Sequence, residues 1–384
     1  MTKILFVTPG CFDKGGISRY SRYQIRALRE LYGFDSVRVL SMLPPSEEGF
    51  EDPISVTWHG PGTGLRSKVQ LASQVLRQAL SWKPDVIHSA HINFSAMCVG
   101  IARIVNASTL LNTYGLEVWS APSRDAIWGL KKSRHVIADC HSTADYLEGE
   151  KLRPKGSVPV IWDCVDLKQF HPGVELNDVI QKYGIPDPTK HRNILTLGRL
   201  AHEAMHKGYD RLMKVFVTVH RKCPNSKLVI AGRGNAVHKL AALAKELGIS
   251  DSVTFTGSVD ESDLASVYRT ATVFSLVSDR GNGRGEGIPL TPLEAMACGI
   301  PIVVGTHDGS KEAIDGSSNG FAIDPFNLNE HASKLLTLLT DPVLREQQSQ
   351  ACWRVAKKNF SFDHFKTDHD KLFQDILTPE NNNE

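Results

Sequence analysis

No run of this sequence stays apolar for the roughly 20 residues that a bilayer-crossing helix needs, which argues against a helical span. Disulfide and thiolate-metal chemistry are missing too. Seven cysteines (Cys11, Cys98, Cys140, Cys164, Cys223, Cys298 and Cys352) stand singly, odd in number and without ligand spacing, a usage that fits a reducing cytoplasm. Charge of one sign is scarce: the net charge is +2, which gives no global field for a polyanion and argues against a dedicated nucleic-acid binder. The lone Asp-x-Asp, Asp368-His369-Asp370, falls in a terminal helical pattern and reads as a solvated face; no metal site is expected. Met1-Thr2-Lys3 leads directly into Ile4 to Val7, with Pro9-Gly10 following, too short a stretch for a signal peptide.

What remains is an ordinary globular composition, 41% apolar and 22% charged, in 384 residues, enough for two domains with a core each. Disorder is expected only in the Asn-rich tail from Pro379 to Glu384.

The densest stretch runs from Glu286 to Val304, EGIPLTPLEAMACGIPIVV. Thr291 suits a helix cap, Pro292 the first helical position, and Glu294 falls three after that cap. Gly299 and Pro301 stop the helix, and Ile302-Val303-Val304 is a short β-branched strand of the kind buried in parallel sheets. A helix N-terminus with unpaired N–H groups is a seat for phosphate. Before it, Asp279 to Gly285 is loop by composition, with three glycines, Arg280 and Arg284. Taken alone, Glu294 fits equally the far half of a capping box, and Glu286 a solvated loop acid.

Glu286 and Glu294, flanking Pro-Leu-Thr-Pro-Leu and followed by the helix stop and the strand, resemble the E-x7-E signature of retaining nucleotide-sugar glycosyltransferases with the GT-B fold, glycosyltransferase family 4. Elsewhere the chain carries further matches. Gly15-Gly16 closes the turn after a first strand, Ile4 to Val7. Pro84 to His91 resembles the family's Asp-Val-Val-His-x-His. Asn112 to Trp119 stands where the family has His-Gly-x-Glu, with Tyr114 in place of the histidine. Asp163 to Pro172 resembles Asn-Gly-Val-Asp-x-x-x-Phe-x-Pro. Gly198-Arg199-Leu200 with Lys207-Gly208 resembles the diphosphate-binding pair, with a longer interval that contains His202, Met205 and His206. Gly232-Arg233-Gly234 lacks the third glycine of a dinucleotide fingerprint.

The resemblance implies an α/β chain of GT-B type, two Rossmann-like doubly wound parallel-sheet domains facing across a cleft. The reading places an acceptor-binding domain at 1–171, a linker at 172–190, a donor domain at 191–358, and at 359–384 a helix returning to the first domain plus the tail. Strands are expected at Val37 to Leu40, Ile54 to Trp58, His135 to Ala138 and Val158 to Ile161, and terminal helices at about Leu328 to Leu339 and Leu344 to Ile376.

Site roles follow from the resemblance. Arg199, Lys207 and Glu286 are the catalytic set. Gly15, Gly16, Arg199, Lys207, Val259, Leu290, Thr291 and Glu294 hold the donor, and His91, Tyr114 and Glu117 face the acceptor. The implied reaction moves a hexose-type sugar from a nucleoside diphosphate sugar to a glycan or lipid-linked acceptor, with retention and without metal or other cofactor. An epimerase of the same fold and a non-catalytic sugar-nucleotide binder are the alternatives. On the helix from Ile17 to Leu31, Arg19, Arg22, Arg26 and Arg29 form a basic stripe, read as a solvated face or as a contact with anionic lipid at the inner face of the membrane.

Overall fold

The computed structural model describes residues 2–13, 15–45, 54–174, 177–281 and 285–378. Asn282-Gly283-Arg284 and the tail from Pro379, singled out above, lie outside them. The chain divides into two units: Met1–Cys164 with Phe362–Glu384, and Val165–Ser361.

In the first unit, β1 (Ile4–Thr8), β2 (Val37–Ser41), β3 (Trp58–His59), β4 (Val86–Ser89), β5 (Ser108–Thr113) and β6 (His135–Ala138) form one parallel sheet in the order β3-β2-β1-β4-β5-β6. Every residue of β1 is buried, because helices cover both faces. Alternation then sorts the side chains. Ile4, Phe6, Val86, Leu110 and Ile137 face α1 (Gly16–Tyr32) and the last helix, α14 (Phe362–Leu377). On the other face Leu5, Val7 and Ile87 pack against α2 (Leu65–Trp82) and α3 (Ser95–Val105). Leu111 and Val136 pack against α5 (Arg124–Lys132), with α4 (Gly115–Trp119) and α6 (His141–Gly149) alongside. Gly129 lets α5 lie close on α3: a Cβ there would stand 2.3 Å from the Ala96 amide nitrogen.

Two strands expected from the sequence are barely formed. From Ile54 to Trp58 only Trp58 enters the ladder, and Val158 to Ile161 contributes a single bridge, Val160 to Ala138. The basic stripe is also not a free surface. Arg19 and Arg22 are buried, and Arg22 donates to the carbonyls of Cys11 and Asp13 at 3.2 and 2.8 Å. Arg26 lies 4.2 Å over the Phe362 ring and pairs with Glu30, and Arg29 donates to the Ser55 carbonyl at 2.8 Å. α1 and α14 lie side by side on one sheet face, and the arginines are either buried or engaged by loop carbonyls and the Phe362 ring, so they form no free basic row; the lipid contact expected through them is withdrawn.

The second unit repeats the winding. β7 (Arg192–Leu197), β8 (Ser226–Ala231), β9 (Val253–Gly257), β10 (Val273–Leu276), β11 (Ile302–Gly305) and β12 (Gly320–Ile323) run parallel in the order β12-β11-β10-β7-β8-β9. Numbered within each unit, both sheets read 3-2-1-4-5-6, the dinucleotide-binding order, which leaves a crevice at the carboxyl ends of the first and fourth strands. The helices are α7 (Asn177–Tyr183), α8 (Tyr209–Lys222), α9 (Val237–Glu246), α10 (Leu264–Arg269), α11 (Leu290–Ala297), α12 (Leu328–Thr340) and α13 (Pro342–Asn359).

The stretch read as a linker at 172–190 is part of this unit. Val179 and Ile185 are buried, Tyr183 donates to Asp263 at 2.7 Å, and Lys182 bridges Asp260 and Asp263. The change of unit comes at Cys164, earlier than residue 171, and the chain leaves again after Ser361, which bridges Val165. The terminal stretch expected as one helix from Leu344 to Ile376 is therefore two, α13 and α14, broken at Phe360-Ser361.

Candidate active site

At the crevice of the second sheet, the loops after β7 and β10 are tied together. The chain leaves β7 through Gly198-Arg199-Leu200 into a 3-10 turn, His202–Lys207. The Asp279 amide donates to the His206 carbonyl at 2.8 Å, and Arg211 joins Asp279 at 2.6 Å while reaching the carbonyls of His206 and Val277. Gly208, at φ +79°, passes so close to the Val277 carbonyl that a Cβ would stand 2.5 Å from its oxygen.

This latch puts Lys207 and Glu286 in contact. The Lys207 Nζ lies 2.8 Å and the His206 Nε2 2.9 Å from the same oxygen, Glu286 Oε1. The Glu286 amide donates to Asp308 Oδ2 at 3.0 Å, and its carbonyl accepts from Gly309 N. Burial alone would raise the Glu286 carboxyl. The charge of Lys207 and the hydrogen bonds from His206 and Lys207 outweigh burial and hold it at about 2. Asp308, buried after β11, goes the other way: burial pushes it up to about 7, against the hydrogen bonds from Ser310 and the Glu286 amide. So one site holds a carboxylate fixed as the anion beside a carboxyl that titrates near neutrality.

Around these groups, buried polar atoms lack a protein partner among the described residues: His206 Nδ1, Tyr209 Oη and Ser278 Oγ. Unpaired buried donors and acceptors at a strand-end crevice call for a polar ligand or water. Arg199 is exposed, and its charge lowers the Tyr209 hydroxyl pKa against the larger effect of burial.

α11 begins at Leu290, one residue before the expected cap. Pro289 occupies the cap position in extended geometry, and no side chain caps the helix. Thr291 is thus inside the first turn, and Glu294 is not half of a capping box. The Glu294 side chain is buried and accepts a 2.6 Å hydrogen bond from the Tyr268 hydroxyl on α10. The helix ends where expected, with Gly299 at φ +77°. Val259 is buried in the turn after β9.

In the first unit, His91 and Glu117 come together after β4 and β5, Nε2 to Oε2 at 2.7 Å. The Asn93 amide donates to His91 Nδ1, and Glu117 Oε1 accepts from the Tyr114 amide. Burial would lower the His91 pKa, but the Glu117 charge and hydrogen bond raise it overall. Tyr114 is turned into the core. Its ring packs edge-on against Tyr20 at 5.4 Å, and its hydroxyl accepts from Asn112 in a buried network with Gln24, His88 and His369. Gly15 and Gly16 are exposed at the start of α1, where no side chain caps the helix.

Sequence reasoning named Lys207 and Glu286 but missed His206, Asp308 and Tyr268. His206 sits in the interval already marked as unusual. Asp308 and Tyr268 carry no local signal, since their partners lie 22 and 26 residues away.

Comparison with known proteins covers both units. The family described as Glycosyltransferase Family 4 matches residues 14–169, and Glycosyl transferases group 1 matches residues 180–353. A GDP-mannose-dependent alpha-(1-6)-phosphatidylinositol monomannoside mannosyltransferase of Mycobacterium tuberculosis is 29% identical over 248 residues, 62% of this chain and 63% of that protein. The match thus spans less than two thirds of this relative's length. A D-inositol 3-phosphate glycosyltransferase of Segniliparus rotundus is 25% identical over 87% of this chain and 79% of its own. Among solved structures, HepE of Anabaena in complex with UDP superposes with a TM-score of 0.79 at 17% identity, covering 97% of this chain and all (100%) of that one. Sucrose-phosphate synthase of Thermosynechococcus elongatus gives 0.77 at 17%, over 98% and 99%. With two Rossmann-like sheets wound alike and a family match on each, the chain belongs to glycosyltransferase family 4 and has the GT-B fold.

Proposed function

We propose that the chain transfers a hexose-type sugar from a nucleoside diphosphate sugar to a glycan or lipid-linked acceptor, with retention and without a metal. The observation that carries this reading is the convergence of Lys207 and His206 on Glu286 at the crevice of the second sheet, with the uncapped start of α11 four residues on. In the reaction the bond from the anomeric carbon to the diphosphate breaks, its electron pair leaving with the nucleoside diphosphate. The acceptor oxygen bonds to that carbon, and the acceptor's proton goes to the released phosphate.

Negative charge grows on the departing oxygen, so the step needs cations and N–H dipoles aimed at it. Lys207, Arg199 and the first-turn amides at Leu290 and Thr291 supply them. Glu286, fixed as an anion, takes the sugar hydroxyls or faces its reacting carbon. Glu294, oriented by Tyr268, has further acceptor positions for ribose hydroxyls. Val259 lines the base, and Gly15 and Gly16 leave room for the donor diphosphate. The name of the mannosyltransferase relative supports a glycolipid acceptor, which in this reading is met by His91 and Glu117. No helix among the described residues is long and apolar enough to cross a membrane. A place in the cytoplasm, at the inner membrane face, is part of the proposal.

The test is a mass-spectrometric screen of UDP-, GDP- and ADP-sugars for nucleoside diphosphate release, with and without EDTA. EDTA-resistant release from one donor, lost in Glu294→Ala and Lys207→Ala, is expected; binding without release, acceptors included, contradicts transfer. The anomeric proton coupling of the product reads retention. The His91–Glu117 pair favours one second reading, an epimerase, which would convert the donor without acceptor and without releasing diphosphate.

A further inference from the structure

Glu286 stands on the loop between β10 and α11, and a loop holds a side chain in place only where its own backbone is held. The near end of this loop is latched through Asp279. The Glu286 peptide is fixed from elsewhere, by the turn that leaves β11. There Asp308 takes one amide on each carboxylate oxygen, Ser310 N on Oδ1 and Glu286 N on Oδ2, both at 3.0 Å. Gly309 N closes the clamp, donating to the Glu286 carbonyl at 3.2 Å. Both polar groups of the Glu286 backbone are thus bound by two consecutive residues of another strand's turn.

As the cap of the 3-10 turn Gly309–Ala313, Asp308 would need one oxygen and could stay in water. Instead it is 1% exposed, and no cation pairs with it among the described residues. Burying a carboxylate without a counter-ion is costly, so the position has to require something that a neutral side chain lacks. That requirement is two acceptors. An asparagine or a protonated acid turns a hydrogen of its own toward one of the two amides. The neighbouring groups offer no compensation. Glu286, across from it on the loop after β10, raises the Asp308 pKa further by its charge, and Lys207 and His206 on the loop after β7 are turned to Glu286 Oε1. Asp279 is held by Arg211, and Glu294 of α11 by Tyr268. On its own turn His307 lies 3.6 Å from Asp324, Lys311 is exposed and Glu312 half-buried.

We propose that Asp308 is the positioning residue of this site: ionised, it clamps the Glu286 peptide against the end of β11, and protonated, it lets go. The use to which Glu286 is put rests on the donor reading; the clamp itself does not. Because burial pushes Asp308 up to about 7, activity acquires an acid limb that Glu286, at about 2, cannot give.

The test uses the full chain and two variants. Amide hydrogen exchange at Glu286, corrected for the intrinsic effect of pH, needs no donor, and turnover is read with the donor found in the screen. In the wild type the amide is protected at about pH 8 and about tenfold or more less so at about pH 6, and turnover falls over the same interval. In Asp308→Asn the amide exchanges fast at both pH values, and kcat is lower by about 10²-fold and has lost the acid limb. The released nucleoside diphosphate still binds within about twofold of the wild type, since Glu286 meets the sugar and not the diphosphate. Ser310→Ala keeps both amides on Asp308 and removes a side-chain hydrogen bond that lowers its pKa, so the opening of the amide and the acid limb both move up by about one pH unit. A Glu286 amide as well protected in Asp308→Asn as in the wild type would overturn the inference, as would an opening that Ser310→Ala leaves where it was. The second outcome decides even where Asp308→Asn fails to fold. A wild type that releases no nucleoside diphosphate contradicts the donor reading alone, and exchange still decides the clamp.

Discussion

Lys207 pairs with Glu286, and the account gives it two tasks: with His206 it holds that carboxyl at about 2, and it meets the leaving diphosphate. Lys207→Ala should therefore lower kcat by about 10²- to 10³-fold, the loss found when one oxyanion donor is removed. Thermal melting should shift far less than activity does, because His206 Nε2 remains 2.9 Å from the same carboxylate oxygen and the buried anion is not left alone. Tyr268→Phe asks the opposite question. It leaves a buried carboxylate without a 2.6 Å donor, and denaturant titration should show a loss of about 1–3 kcal/mol. Legibility at this scale followed sequence distance. Lys207 and Glu286 stood in motifs, whereas the His206–Glu286 and Tyr268–Glu294 bonds join loops and helices that only the folded sheet brings together. Thr291 misled because a good cap residue counts only if the backbone starts the helix after it, and here Pro289 already supplies the extended geometry.

Elements were legible where the pattern was periodic and buried on both sides, as in β1, β7 and β11. They were less so where pairing decides, and Val158 to Ile161 has strand composition but meets one neighbour at one residue. The arginine row on α1 shows the same limit: periodicity gives a face, and only packing tells what covers it. The cover is shared between loop carbonyls, which take Arg22 and Arg29, and α14, which takes Arg26 on Phe362 and buries Phe365 5.3 Å from the Tyr20 ring. Phe365→Ala should destabilise the first unit by about 3–5 kcal/mol in denaturant unfolding, through lost burial and the cavity left behind. Gly129→Ala tests the other limit of packing. With Ala96 N at 2.3 Å from the new Cβ, α5 must move off α3, at a cost of about 1–3 kcal/mol by the same measurement.

For the molecule as a whole, the strand order 3-2-1-4-5-6 used twice is what turns separate motifs into a site, since it sends the loops after the first and fourth strands to one crevice in each unit. Both units also bury neutral histidines. Burial lowers His88 to about 3 and His369 to about 4 in the first unit, and His331 to about 3 in the second. The unfolded chain takes up these protons near pH 6.5 and the folded chain only near pH 3–4. Their contribution to stability is therefore full above about pH 6.5 and lost as pH falls towards 3–4. Melting temperature measured against pH should fall over that interval, less steeply in His369→Gln, which cannot take up the proton; a flat profile between pH 4 and 6.5 would contradict this. The most direct test of the central claim is calorimetric titration of the wild type and Lys207→Ala with the nucleoside diphosphate released in the donor screen. The account predicts binding weakened by about tenfold or more in the variant, as loss of a charged contact to phosphate requires. Equal affinity in the two proteins would place the diphosphate elsewhere and contradict it.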